Sequence, residues 1–358
     1  MIYDLIRPLL FRLDPEDAHR LVLQGLRALG ALPPIAALVR GLMTPRATPV
    51  EVAGLRFPSP LGLAAGWDKD GLAIDGLHAL GFGHVEVGTV TPRPQSGNPR
   101  PRVFRLVEDE ALINRMGFPS RGEDHLADRL LARRARRAHG PVVGVNLGKN
   151  KATPNELAAA DYVRLVTRFE SLADYLVVNV SSPNTQGLRD LQERRALEEL
   201  LAAVVAARGP ARTPLFVKLA PDLDEPALDR AIEAAVRARI DGIVATNTTL
   251  ARDGLRSASA VEAGGLSGAP LSARATAMVR AIARKTSLPI IASGGVMQPD
   301  DVVARLDAGA SLVQVWTGFV YRGPGVVRHL LGRPSSYRSS SSSAARDGRA
   351  RPVSNAPA

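Results

Sequence analysis

The sequence of 358 residues contains no cysteine, and this absence excludes several kinds of chemistry. Without thiols the chain cannot form a disulfide, an iron–sulfur cluster or a thiolate zinc site, and it has no cysteine nucleophile or base. There is no zinc-finger spacing either, and we predict no metal site. Catalytic groups must be sought among the other polar residues.

Aromatic residues make up only 4% of the chain, and lysine supplies only five of its 46 basic residues. The formal net charge of +11 would suit a nucleic-acid-binding protein. So few aromatic residues cannot build a base-stacking platform, however. Part of the charge lies in residues 335–358, a stretch rich in Ser, Arg and Ala whose composition predicts disorder. We therefore predict no nucleic-acid partner.

The N-terminal region, residues 1–45, has no apolar run long enough for a membrane-spanning helix, which needs roughly 18 residues. Arg7, Arg12 and Asp14 interrupt its apolar runs. Apolar positions instead recur at helical spacing, which predicts two amphipathic helices and a third short one. Two interpretations stay open: a helical subdomain packed on the main body, which the pattern alone favours, or helices whose apolar face lies in a membrane interface.

Short β-rich segments separated by helical stretches follow from Val50 onward. This alternation predicts a parallel sheet, and eight such units predict an α/β fold of the (β/α)₈ TIM-barrel type over residues 46–334. The eight predicted strands are Leu61–Ala65, His84–Gly88, Val142–Leu147, Tyr175–Val180, Leu215–Leu219, Gly242–Thr246, Pro289–Ala292 and Leu312–Trp316. A hairpin over Val50–Phe57 is predicted to cover the barrel bottom. The alternative, a doubly wound open sheet, lacks the G-x-G-x-x-G sequence after its first strand.

Polar residues follow the predicted strands, at the end of a barrel where active sites lie. A single Asn or Thr at such a place often caps the next helix, but all eight strand ends together indicate a site. Gly294-Gly295 and Thr317-Gly318 suit a phosphate, because many barrels bind one after the last two strands. Lys218 should project into the barrel mouth, where it could pair with a flavin ring or act as a Schiff-base lysine; the spacing leaves both open.

Several motifs together resemble the dihydroorotate dehydrogenase family over about residues 1 to 330. They occur in that family's order at Ala64–Gly71, Glu86–Gln95, Asn114–Phe118, Asn179–Thr185 and Gly264–Gly268. The resemblance implies an FMN-dependent barrel that oxidises dihydroorotate to orotate in pyrimidine synthesis. It leaves only the C-terminal tail unexplained.

The resemblance is closer to the quinone-reducing, membrane-associated class of that family. The soluble class uses a cysteine base, whereas this chain has Ser182 at the matching loop. In the quinone-reducing class, N-terminal helices frame a quinone tunnel, which reverses our preference between the two interpretations of residues 1–45. The implied location is peripheral, at the cytoplasmic face of the bacterial cell membrane, with a membrane quinone as electron acceptor. His19 and Arg105 match positions near the tunnel.

The resemblance also implies a role for each remaining site residue. Ser182 would be the catalytic base. Substrate would contact Lys69, Asn114, Arg115, Met116, Gly117, Phe118, Asn179, Asn184, Asn247 and Thr248. FMN would contact Ala65, Gly66, Trp67, Asp68, Lys69, Thr89, Asn146, Asn179, Lys218, Thr246, Gly268, Gly295, Trp316 and Thr317. Trp316 departs from the tyrosine usual in the family, and an indole can donate a hydrogen bond but cannot accept one.

Overall fold

The structure, a computed structural model, describes residues 2–136, 140–209 and 212–332. The predicted tail, residues 335–358, lies outside the described residues. The strands in the described residues are β1 (Val50–Val52), β2 (Leu55–Phe57), β3 (Leu61–Leu63), β4 (His84–Val90), β5 (Val103–Leu106), β6 (Ala111–Asn114), β7 (Val142–Leu147), β8 (Tyr175–Asn179), β9 (Leu215–Leu219), β10 (Gly242–Ala245), β11 (Gly265–Gly268), β12 (Ile290–Ser293) and β13 (Leu312–Val315). The α-helices are α1 (Ile2–Arg12), α2 (Pro15–Gly30), α3 (Pro33–Met43), α4 (Ile74–Ala79), α5 (Glu123–Ala135), α6 (Ala158–Phe169), α7 (Arg194–Ala206), α8 (Glu225–Arg237), α9 (Ser272–Lys285), α10 (Pro299–Asp307), α11 (Thr317–Arg322) and α12 (Val326–Leu330).

Eight parallel strands form a closed barrel, and they are the eight that the sequence predicts. The strands neighbour one another in the order β3, β4, β7, β8, β9, β10, β12, β13, and β13 pairs with β3 to close the ring. The (β/α)₈ fold is confirmed, and closure rules out the doubly wound open sheet. Each predicted boundary agrees with the structure to within two residues.

The barrel bottom is filled by rings that face glycines on neighbouring strands. A Cβ atom at Gly62 would lie 2.3 Å from the His84 ring, and one at Gly144 would lie 2.1 Å from the Tyr175 ring. Phe57 of the β1–β2 hairpin packs edge-on against His84 and closes the bottom, as predicted. The rings fill this end of the barrel, and the active sites of such barrels lie at the opposite end.

The N-terminal helices pack on one side of the barrel and leave part of their apolar surface uncovered. Asp14 caps α2 by accepting hydrogen bonds from the amides of Glu16 and Asp17. Leu26 of α2 is buried against α4, where the absence of a side chain at Gly76 allows close approach. The exposed large side chains of this region are Leu5, Ile6, Leu9, Leu13, Leu21, Leu32, Ile35, Leu38 and Leu42.

Among the described residues, no single helix passes the length and hydropathy requirements for crossing a membrane. The pair Pro15–Gly30 and Pro33–Met43 passes them together, with a bend of 108° between the two helices.

A three-stranded antiparallel sheet, β5–β6–β11, lies outside the barrel and was not predicted. Its strand β11 pairs with β6, with Gly265 opposite Asn114 and Gly268 opposite Ala111. The sequence suggested a glycine-rich loop at this place. Pairing across about 150 residues of chain gives these four residues a strand partner that no local pattern announces.

Candidate active site

An open cavity lies at the carboxyl ends of the barrel strands. Most of the predicted site residues line it. They are Ala65, Gly66, Lys69, Thr89, Asn114, Met116, Gly117, Phe118, Asn179, Ser182, Asn184, Lys218, Thr246, Asn247, Thr248, Gly295, Trp316 and Thr317. The fold thus brings together residues that are more than 250 positions apart in the sequence.

Five of the residues predicted to contact substrate or FMN do not line this cavity. Asn146 lies beneath it in β7, and Gly268 ends β11 beside Ser267, which does line it. Asp68 is buried, and its carboxylate accepts hydrogen bonds from the amides of Leu72 and Ala73, both at 2.7 Å. This carboxylate therefore holds the turn after β3.

Trp67 and Arg115 also point elsewhere. The Trp67 ring stacks on Phe319 at a centroid distance of 4.8 Å and lines a second cavity described below. The guanidinium of Arg115 pairs with Glu262 at 2.6 Å and lies over the Phe104 ring. Only the backbone of Arg115 is left to take part in the predicted substrate contact.

Amide and hydroxyl side chains form one hydrogen-bonded network across the barrel mouth. Thr89 Oγ1 donates to Asn146 Oδ1 at 2.5 Å, and Asn179 Nδ2 donates to the same oxygen at 2.9 Å. Asn247 Nδ2 donates to Ser181 Oγ at 3.0 Å. These hydrogen bonds fix the orientation of the amides of Asn179 and Asn247, which line the cavity.

Glu86 anchors this network from below, although it was not among the predicted site residues. Its side chain is fully buried and accepts hydrogen bonds from Asn146 Nδ2 and Gln314 Nε2, each at 2.7 Å. Lys218 Nζ lies 4.0 Å from Glu86 Oε1. Burial lowers the pKa of Lys218 and the Glu86 charge opposes that shift. The sequence does contain one indication of this role, because Glu86 is the single carboxylate in the otherwise uncharged core strand that begins at His84.

A second group of amides lies on the loops above the mouth. Asn184 Nδ2 donates to Asn114 Oδ1 at 3.0 Å. Asn98, which was not among the predicted site residues, joins the two loops, because its Nδ2 donates to the carbonyls of Arg115 and Asn184 at 2.9 and 3.1 Å. A lone asparagine in a long loop gave no sign of this contact.

Ser182 is buried beside these amides, and its Oγ accepts a hydrogen bond from the Asn184 amide at 3.2 Å. In the part of the chain that the structure describes, no carboxylate or imidazole forms a hydrogen bond with this hydroxyl. Among the described residues, the hydrogen bond of this hydroxyl is therefore with a backbone amide and not with a side-chain base.

Lys69 stands at the edge of the cavity and donates a hydrogen bond from Nζ to the Gly66 carbonyl at 2.6 Å. Burial lowers the pKa of Lys69 to about 8. Its ammonium group is therefore charged at neutral pH and can attract an anionic ligand.

A second cavity lies between α1, α2 and the barrel. Most of its lining is apolar, and it shares Lys69, Val103, Leu112, Met116 and Trp316 with the first cavity. The two cavities thus have a common wall.

The predicted residues His19 and Arg105 both line this second cavity. His19 Nε2 lies 2.7 Å from the Trp67 carbonyl, and burial lowers the pKa of His19 to about 4. The ring is therefore neutral at physiological pH and donates from Nε2, which leaves Nδ1 as an acceptor. Arg105 Nη1 donates to the Leu13 carbonyl at 2.8 Å and holds the end of α1.

The sequence matches a family profile described as dihydroorotate dehydrogenase over residues 48–333. The chain belongs to the dihydroorotate dehydrogenase family. It is 55% identical over 336 residues to a dihydroorotate dehydrogenase (quinone) of Anaeromyxobacter sp. strain Fw109-5, a match that covers 92% of this chain and 91% of the relative. It is 52% identical to a dihydroorotate dehydrogenase (quinone) of Thermobifida fusca, a match that covers 90% of this chain and 89% of the relative. The predicted family is confirmed, and its members are oxidoreductases.

Solved structures give the same result for the fold of this dihydroorotate dehydrogenase family member. The crystal structure of a dihydroorotate dehydrogenase from Eimeria tenella in complex with ferulenol superposes with a TM-score of 0.81 at 41% identity. The match covers 90% of this chain and 92% of that one. Family membership removes the support for the Schiff-base alternative at Lys218.

Proposed function

We propose that this chain is an FMN-dependent dihydroorotate dehydrogenase that oxidises dihydroorotate to orotate in pyrimidine synthesis and passes the electrons to a membrane quinone. One observation carries the proposal: a polar, amide-lined cavity and an apolar cavity share a wall at Lys69 and Trp316. A polar substrate and an apolar electron acceptor can then approach one cofactor from two sides.

The residues of the polar cavity fit a flavin phosphate at one end and a flavin ring at the other. Gly268 and Gly295 have positive φ angles of 102° and 71°, and a Cβ atom at Gly295 would lie 2.4 Å from Ser272. A backbone without side chains allows the close approach that a phosphate needs. Lys218, with Thr89 and Asn179, would hold the ring. FMN, when bound, supplies the acceptor for the hydride that leaves C6 of dihydroorotate.

Dihydroorotate is a cyclic ureide in which N–H and C=O groups alternate, and carboxamides match both because they donate and accept. Asn114, Asn179, Asn184, Asn247 and Thr248 would bind the ring together with the backbone of residues 115–118. Lys69 would bind the carboxylate through its ammonium group. Ser182 would remove the proton from C5 and, with no side-chain base beside it, release that proton to water.

The apolar cavity would receive the quinone. Its lining beside α1 and α2 suits an isoprenoid-substituted ring, and His19 and Arg105 would contact the quinone head. The uncovered leucines of α1–α3 would lie in the membrane interface, and nearby arginines would attract anionic lipid. We propose on this basis that residues 1–45 form a membrane-docking subdomain beside the barrel of residues 46–334, at the cytoplasmic face of the bacterial cell membrane.

The visible spectrum of the purified full-length protein tests the proposed function. We expect flavin absorption bands that are bleached by dihydroorotate under anaerobic conditions and restored by a soluble quinone. A colourless protein that binds no added FMN would contradict the cofactor assignment. Covalent trapping of substrate on Lys218 by borohydride would instead support the lyase chemistry.

A further inference from the structure

Arg305 is a buried cation to which the proposed function gives no role. It lies on α10, and its side chain is completely inaccessible to solvent, with a relative exposure of 0%. A fully buried arginine normally pairs with a carboxylate, because an unpaired buried charge is costly. None of the ion pairs between residues of the described ranges includes Arg305, and its Nε has no hydrogen-bond partner there.

The guanidinium instead joins two other elements of the barrel. Arg305 Nη2 donates to the Gly294 carbonyl at 2.8 Å, in the turn after β12. Nη1 donates to Thr276 Oγ1, and Nη2 lies 3.4 Å from Ser272 Oγ, both in the first turns of α9. One side chain thus fixes the turn after β12 against the start of α9.

These two elements form one end of the active-site cavity. Leu271, Gly294 and Gly295 all line the cavity. Gly295 lies so close to Ser272 that a Cβ atom would come within 2.4 Å of the Ser272 backbone. This is the end at which the glycines fit a phosphate, so Arg305 lies directly behind the proposed phosphate site.

The charge of Arg305 is only partly balanced. Arg305 is linked to the carboxylate of Asp301 through Ser272, whose Oγ donates to Asp301 Oδ1 at 2.7 Å. The other oxygen, Oδ2, accepts from the amides of Met297 and Gln298 at 2.9 and 2.8 Å, so it is already shared. Burial lowers the pKa of Arg305 to about 10, against the influence of Asp301. The guanidinium is still charged at neutral pH.

We propose that Arg305 is a positioning residue for the FMN phosphate. It holds the Gly294–Gly295 turn in place and adds a buried positive charge behind it. The site should therefore bind phosphate-bearing flavin in preference to riboflavin. The inference rests on the proposed function, since it takes FMN as the cofactor.

The test compares FMN with riboflavin on apoprotein made from the full-length chain, with flavin fluorescence as the readout. The decisive quantity is the ratio of the two dissociation constants. In Arg305→Met we expect FMN affinity to fall roughly tenfold or more relative to riboflavin affinity, the size of one lost charge interaction. Arg305→Lys keeps the charge and loses the planar geometry of the guanidinium. Its ratio of dissociation constants should therefore lie between those of Arg305→Met and wild type.

Asp301→Asn should shift the ratio in the opposite direction. It removes the partial counter-charge while keeping the shape of the side chain, so the preference for FMN should rise. Arg284→Met removes an exposed charge from the far end of α9 and should leave the ratio unchanged. Because Arg305→Met and Asp301→Asn should change the ratio in opposite directions, the pair distinguishes an electrostatic role from a general loss of packing.

Equal weakening of both flavins in Arg305→Met would show a structural role only and would overturn the inference. If that variant fails to fold, Asp301→Asn decides, and an unchanged ratio in it also overturns the inference. Wild-type protein that binds neither flavin would contradict the proposed function itself.

Discussion

The two cavities on either side of Trp316 are opposite in chemistry. In the barrel mouth, asparagine and threonine side chains hold one another in fixed orientations, as in the bond from Asn179 to Asn146. The cavity beside the helices offers mainly apolar walls, and two of its polar side chains, His19 and Arg105, are already bonded to backbone carbonyls. The first cavity can recognise a pattern of donors and acceptors, whereas the second recognises shape and apolar surface.

This difference divides the proposed reaction into two halves that can be disturbed separately. Substitutions in the polar cavity should change reduction of the enzyme by dihydroorotate. Substitutions around the apolar cavity should change reoxidation by quinone. A polar-cavity variant that slows reoxidation, or an apolar-cavity variant that slows reduction, would weaken this division.

The largest effect is expected from Ser182→Ala. No other base among the described residues forms a hydrogen bond with the Ser182 hydroxyl. Loss of this hydroxyl should therefore slow flavin bleaching by dihydroorotate by about 10²–10⁴-fold, the usual contribution of a general base. Stopped-flow absorbance measures this rate. Orotate binding and quinone reoxidation of chemically reduced enzyme should stay within about twofold of wild type. A bleaching rate close to wild type would remove Ser182 from the mechanism.

Lys69→Met should weaken orotate binding by about tenfold to 100-fold, the range for a charge-assisted hydrogen bond. Because burial lowers the pKa of Lys69 to about 8, the ammonium is present below that pH and is lost above it. Wild-type orotate affinity should therefore fall as the pH rises through about 8.

Titration of orotate across this pH range measures both effects of Lys69. The affinity of Lys69→Met should be low and independent of pH in the same range. Lys285→Met, which removes an exposed lysine paired with Glu225 and Asp229, is the matched control and should behave as wild type. A pH profile that persists in Lys69→Met would assign the titration to another group.

The polar cavity was largely predictable from the sequence because barrel strands end in register. Thr89, Asn179 and Lys218 each lie at or next to the end of a strand that its β-rich composition identified, and closure of the barrel brings such ends together. Glu86 and Arg305 were harder to interpret. Each is a charge inside an element, and its partners come from other strands and helices.

The apolar cavity was less predictable. Helical spacing located α1 and α2, but the same spacing describes a helix pair packed flat on a barrel and one that leaves a space beneath it. The difference depends on contacts such as that of Arg105 with the end of α1, which joins β5 to residues about 90 positions away. Strand β5 itself belongs to the sheet that no local pattern predicted.

Leu38→Glu tests the outer side of the helical region. Leu38 is 65% exposed on α3, and placing a carboxylate there should weaken binding to anionic lipid vesicles by about tenfold, as expected for one buried leucine side chain. Vesicle sedimentation measures the effect. Val261→Glu, at an exposed position on another part of the surface, is the control. Equal loss of binding in both variants would show that charge alone, and not this face, determines binding.

The smallest effect, and the most specific to the apolar cavity, is expected from Leu10→Trp. Leu10 lines the cavity and its neighbour Leu9 is exposed, so an indole at residue 10 occupies space that the quinone needs, while Leu9→Trp adds the same group outside. With a soluble short-chain quinone and no vesicles, the KM for quinone should rise a few-fold, roughly 1 kcal/mol or less, in the first variant only. Bleaching by dihydroorotate should be equal in both. If Leu10→Trp slows bleaching instead, the cavities are coupled through their common wall, and the separation into two halves fails at Trp316.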